Sequence, residues 1–135
     1  MMNGSVRARG AHTYAKVGLE TSVNSASPEK LISLLFAGAR SSIARARFAF
    51  EQNDIPARGM AISKTIGIVG DGLRAALNLE AGGEIAANLH DLYIYIERCL
   101  LLANLHSDVA KLDEADRLLA EIGSAWNELG SQQEA

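Results

Sequence analysis

The stretch Ser27-Pro28-Glu29-Lys30-Leu31-Ile32-Ser33-Leu34-Leu35-Phe36-Ala37-Gly38-Ala39 decides how the chain folds. Serine is a favoured helix N-cap, and proline is tolerated at the first helical position, where its missing N–H has no intrahelical partner to lose. Glu29 adds a carboxylate at the positive end of the helix dipole. A helix therefore begins at Pro28. Beyond it Ile32, Leu35, Ala39, Ile43, Ala46 and Phe50 recur three or four residues apart, one apolar stripe reaching to about Gln52.

The same pattern repeats outward. Asn53-Asp54-Ile55-Pro56 is turn chemistry, and a second stripe follows through Ile62, Ile66, Val69, Leu73 and Leu77. Ala81-Gly82-Gly83 breaks it. A third stripe runs through Ile85, Leu89, Leu92, Ile96 and Cys99 or Leu100 to about Leu105. Ser107-Asp108 offers the next cap, and Val109, Leu112, Ala115, Leu119, Ile122, Trp126 and Leu129 carry the fourth stripe to Gly130. Four helices with short connections predict an all-α, antiparallel up-down four-helix bundle. Its expected limits are residues 28–130, after a partly flexible leader, residues 1–27, that packs on it, and before a polar tail, residues 131–135.

Charge and composition exclude several classes. The net charge of −3 over 135 residues gives no general attraction to nucleic acid or anionic lipid. It divides unevenly, with +5 in residues 1–77 and −8 in residues 78–135, so the first two helices complement the last two. The single cysteine, Cys99, rules out an internal disulfide and a cysteine zinc cluster. No secretory signal or long apolar run is visible, which fits a cytoplasmic protein without membrane insertion.

Catalytic chemistry finds little support. His12, His90 and His106 are scattered, and the Glu-x-x-His pairs of a bundle metal site are absent, since Ala87 and Ala103 stand three residues before His90 and His106. No Gly-x-Ser-x-Gly context marks a nucleophile. The expectation is a protein that is not an enzyme and has no cofactor or metal. Arg40, Arg45 and Arg47 form the best basic cluster, but at helical spacing Arg45 points away from the other two. Gly67, Gly70 and Gly72 lie within the second helix, each costing roughly 0.5–1 kcal/mol relative to alanine. Close approach of another helix, or a local kink, compensates.

The stronger signal is apolar surplus. The first helix carries Leu31, Leu34 and Phe36 beside its stripe, and Leu92–Ile96 with Cys99–Ala103 make the third apolar almost all round. A helix apolar on every side in a small chain needs a cover, which the leader, a second copy or a partner helix supplies. Three readings compete: a partner-helix binder, a homodimeric structural or interaction module, and a regulatory nucleic-acid binder using the basic first half.

Residues 25–39 closely resemble the opening of the first helix in the flagellar export chaperone family, FliS. Lys64-x-Ile66-x-Ile68 with Gly72-Leu73 resembles its second helix, and Asn88-Leu89-x-x-Leu92-Tyr93-x-Tyr95 with Leu100-x-x-Ala103-Asn104-x-x-x-Asp108 its third helix and following turn. Tyr14 followed by Val17 is similar to its leader motif, and Trp126 stands where its last helix tends to have tryptophan. Two positions depart from the pattern: Ala37 replaces a common aspartate, and Cys99 follows Arg98 where paired basic residues are frequent. The resemblance implies a cytoplasmic chaperone that binds the disordered C-terminal segment of flagellin, prevents premature polymerisation and assists type III export, with the cytoplasmic domain of the export gate as a further partner. It implies client contact at Tyr14, Leu31, Leu34, Ile66, Leu89, Tyr93 and Asn104. The expected oligomeric state is a monomer or weak dimer.

Overall fold

The computed structural model describes residues 27–134. Helix α1 is Pro28–Glu51, α2 is Ile55–Gly67, α3 is Leu79–Leu105 and α4 is Val109–Glu134. A π-helical turn, Ile68–Arg74, prolongs α2. Each helix packs on its two sequence or ring neighbours, α1 on α2 and α4, and α3 on α2 and α4. This is the four-helix bundle. The leader and its expected packing lie outside the described residues.

The helix starts follow local chemistry. The Ser27 hydroxyl accepts a bond from the Lys30 N–H at 3.1 Å, Asp54 caps α2 through Ala57 N at 3.1 Å, and Asn78 caps α3 through Ala81 N at 3.0 Å. Asp108 accepts from Ala110 N at 3.0 Å at the start of α4. The two hairpin turns, 52–54 and 106–108, pass through Asn53 and Ser107 at positive φ. Both turns lie at one end, tied by Arg58. Its guanidinium donates to the Asn104 side chain and carbonyl and to Ser107, each at 3.0 Å, and stacks 5.0 Å from the Phe50 ring centre.

The core is aliphatic: Leu35, Ala39, Ile43 and Ala46 of α1, Ile62, Val69 and Leu73, Ile96, Leu100 and Ala103 of α3, and Leu112, Ala115 and Leu119 of α4 are all buried. One buried polar pair, Ser42 with Thr65 at 2.6 Å, joins α1 to α2 and is satisfied by the Ala39 and Ala61 carbonyls. The charge asymmetry becomes a seam between α1 and α4, with Arg40 on Asp116 at 2.9 Å and Arg47 on Asp113 at 2.6 Å. Arg45 points elsewhere, as the spacing requires.

Three local expectations are corrected. The second helix does not continue to Ala81-Gly82-Gly83; it ends near Ala75, and α3 starts with a separate turn at Leu79, interrupted at Gly83 (φ 56°, ψ −136°). That backbone conformation is open essentially to glycine alone, which is why the break falls there. The fourth helix does not stop at Gly130, because Ser131-Gln132-Gln133-Glu134 contains no helix breaker, and these residues extend it. Finally, Tyr93, in the apolar surplus beside the third stripe, is 4% exposed, and Leu100, which belongs both to that surplus and to the stripe, is 0% exposed. The bundle ring itself covers them.

Two glycines separate these effects. Gly83→Ala should lower stability by roughly 1–2 kcal/mol through its strained φ. Gly130 sits in helix with open space around its Cβ position, and Gly130→Ala should raise stability by about 0.5–1 kcal/mol. Thermal unfolding followed by circular dichroism should move the midpoint in opposite directions.

Candidate functional site

At the end of the bundle opposite the hairpin turns, an apolar groove of about 310 Å³ opens. Its floor is Phe36 of α1 against Tyr93 of α3, ring centres 6.5 Å apart and tilted by 48°. One wall is Leu73, Ala76 and Leu77, delivered by the π turn; another is Ile85 and Leu89 of α3; the third is Ile122, Ala125, Trp126 and Leu129 of α4, with Ile32 of α1 completing the rim.

Glycines build this shape. A Cβ on Gly72 would stand 3.3 Å from both Leu35 methyl groups, and one on Gly70 would stand 3.0 Å from a Glu97 carboxylate oxygen. Their absence lets the π turn seat against α1 and α3 at once, where Arg74 bonds Glu97 at 2.7 Å. The extra residue in the turn, marked by the Ala75 N–H bonding Gly70 O at 3.1 Å, re-aims Leu73 and Leu77 toward the groove. Gly123 does the same service in α4, since a Cβ there would lie 3.2 Å from the Phe36 ring. Trp126 is anchored by its indole N–H to the Glu29 carbonyl at 3.2 Å.

The electrostatics are those of a neutral cleft. Burial pushes the Tyr93 phenol up to about 12, so it is uncharged at any physiological pH. On the outer side of α3 the Tyr95 hydroxyl donates to Glu114, which raises the phenol and lowers the carboxyl. The charge assistance of that bond is present at neutral pH and is lost as acid protonates Glu114. Burial also raises the Cys99 thiol, so little thiolate exists at pH 7. Cys99 should react with a disulfide reagent at least about 100-fold more slowly in the folded chain than in denaturant, because reaction requires opening; equal rates would contradict its burial. Among the described residues no cluster of three metal-ligating side chains occurs, and no helix is long and apolar enough to cross a membrane.

The structure brings only two of the sequence-derived site residues together: Leu89 and Tyr93 line the groove. Leu34 is half-buried on an adjoining, more polar cleft beside Trp126, where Ser33 bonds Asn127 at 2.8 Å. Leu31 is half-buried on α1, Ile66 packs against the core, and Asn104 is at the far end in the grip of Arg58. Tyr14 lies outside the described residues. Ile85 and Leu129, read as core stripe, are instead exposed groove wall, while Trp126 is half-buried against the core and lines the same groove. A second cleft, about 680 Å³ between α1 and α2, carries the exposed Phe48 and Met60 between Arg45 and Lys64, and no motif in the sequence marks it.

An all-helical bundle with a preformed, uncharged, apolar groove belongs to the class of helical binding proteins, in which the groove offers an apolar surface to another segment. Comparison with known proteins makes this specific. The family model for the flagellar protein FliS matches residues 10–133, and the chain belongs to the FliS family. It is 48% identical over 122 residues to the flagellar secretion chaperone FliS of Salmonella typhimurium, covering 90% of each chain. It is 46% identical over 114 residues to the flagellar secretion chaperone FliSB of Pseudomonas aeruginosa, covering 84% of this chain and 90% of that one. The Escherichia coli flagellar secretion chaperone FliS is 40% identical over 121 residues, 90% of this chain and 89% of its own.

Proposed function

We propose that this chain is a cytoplasmic secretion chaperone for flagellin, holding the disordered C-terminal segment of its client until export. The observation that carries the reading is the apolar groove between Phe36, Leu89, Tyr93 and Trp126 in a member of this family. A segment that polymerises through amphipathic helices must hide their apolar faces beforehand, and a groove of helix-accepting shape competes for those faces. Because the segment orders only on binding, the contact must bury enough apolar area to offset the lost chain entropy. The wall residues left exposed in the free bundle, Ile85 and Leu129, supply such area. Leu31, Leu34, Ile66 and Asn104, together with Tyr14, extend the client path beyond the groove, and the loaded complex is delivered to the cytoplasmic domain of the export gate.

Calorimetric titration with a flagellin C-terminal peptide tests this reading. The expected result is one peptide per chain with a negative heat-capacity change from apolar burial. No binding heat at any temperature, with a folded chain, would remove the proposal.

A further inference from the structure

The cleft between α1 and α2 takes no part in the groove at the open end of the bundle, and the two share no lining residue. Its floor is made of small side chains, with Ala49 sealed and Ala57 and Ala61 half-buried, so another backbone can come close. Phe48 of α1 and Met60 of α2 stand over that floor, 61% and 76% exposed. An aromatic ring and a methionine side by side, with nothing of their own chain over them, are the residue types that anchor protein partners. The α1 side of the cleft runs from Ser41 to Gln52, about 16 Å at 1.5 Å per residue, which is room for a helix of about three turns.

Its charges are placed unevenly. The bond between Ser42 and Thr65 sets the level of the two helices, which brings Arg45 and Lys64 to the inner end of the cleft, one from each helix. Among the described residues neither has a carboxylate within ion-pair distance, whereas Arg40 and Arg47 of the same helix α1 are paired with Asp116 and Asp113. The one carboxylate in the lining, Asp54, lies at the turn end and is occupied by the Ala57 N–H at 3.1 Å.

We propose that this cleft is a docking site for a helix of a second protein, distinct from the client segment, whose apolar stripe ends in carboxylates. The stripe packs on Phe48, Met60 and the alanine floor, as helix-in-groove recognition requires. The carboxylates meet Arg45 and Lys64, which have no internal partner to give up. Charge excludes the chain's own leader as the occupant, since Arg7, Arg9 and Lys16 outweigh Glu20 there and bring the wrong sign to the basic end. The cleft is independent of the flagellin reading, because Phe36, Leu89 and Tyr93 line only the other groove and stay open when a helix lies between α1 and α2.

Fluorescence anisotropy of the full chain with a labelled synthetic helix tests the proposal. The probe carries leucine at i, i+3, i+4 and i+7 followed by glutamates, and its twin has lysines in place of the glutamates. The expected result is saturable binding of the acidic peptide, at least about tenfold tighter than that of the basic twin. Phe48→Ser should weaken it at least about tenfold while leaving the circular dichroism melting curve unmoved, because the ring is exposed. Arg45→Glu combined with Lys64→Glu should invert the preference, so that the basic twin binds tighter. Ile85→Asp, on the other groove, should change nothing, and unlabelled flagellin C-terminal peptide should not displace the probe. No saturable binding, equal affinity for the two peptides, indifference to Phe48→Ser, loss of binding in Ile85→Asp or an uninverted preference in the charge-reversed chain would overturn the proposal. So would displacement by the flagellin peptide, which would assign the cleft to the client instead.

Discussion

Ile85→Asp is expected to weaken binding of the flagellin C-terminal segment by roughly 100-fold, about 3 kcal/mol, while barely altering the stability of the free chain. The asymmetry comes from position. Ile85 is 74% exposed in the free bundle, so a carboxylate there stays hydrated and costs within about 0.5 kcal/mol. It also forms the lip of the groove beside Leu89. A client helix seated over it would strip that carboxylate of water with no cation among the groove-lining residues to receive it, and the desolvation penalty then appears wholly in the binding constant. Peptide titration and thermal unfolding of the same variant separate the two quantities. A normal affinity would mean that the client does not cover this groove.

Leu100→Ala has the converse profile, a loss of about 3–4 kcal/mol in unfolding free energy. Leu100 is fully buried at the middle of the bundle, with Ile43, Ile96 and Leu112 among the other sealed core side chains. Neighbours fixed on four converging helices cannot collapse far into the space left, so the cavity cost adds to the lost transfer energy. Urea unfolding should show a lower midpoint with an unchanged slope. A change below 1 kcal/mol would contradict the packing described for α3.

These two residues also show what the sequence could and could not convey. Periodicity assigns an angle around a helix, and for Leu35, Ala39, Ile43, Ile62, Val69, Ile96, Leu112 and Leu119 that angle was sufficient, because each lies where all four helices overlap. It assigns no axial position. Ile85 and Leu129 occupy the same stripes, but at the open end of the bundle, so the same pattern produces a groove wall instead of a core. Apolar surplus around a helix misled for the same reason. Tyr93 belongs to that surplus and lies off the stripe, yet α3 is flanked on both sides and takes it inside. The glycines of the second helix were informative in kind, pointing to close approach or a kink. The structure shows both, at Gly72 against Leu35 and in the π turn itself. Which extra residue makes that turn depends on contacts with Leu35 and Glu97, distant in sequence. The basic and acidic halves were legible as complementary faces, and Arg40 and Arg47 meet Asp116 and Asp113 accordingly. Such exposed pairs are worth at most about 1 kcal/mol each, so they orient the helices more than they hold them.

The proposed role of this bundle is capture of flagellin through the C-terminal segment. Its most direct test is sedimentation of the purified chain mixed with monomeric flagellin, intact or lacking that segment. The account predicts a complex of one flagellin per chain with the intact protein, none with the truncated one, and loss of the complex in Ile85→Asp. A complex that forms equally well without the segment, or no complex with intact flagellin, would contradict it.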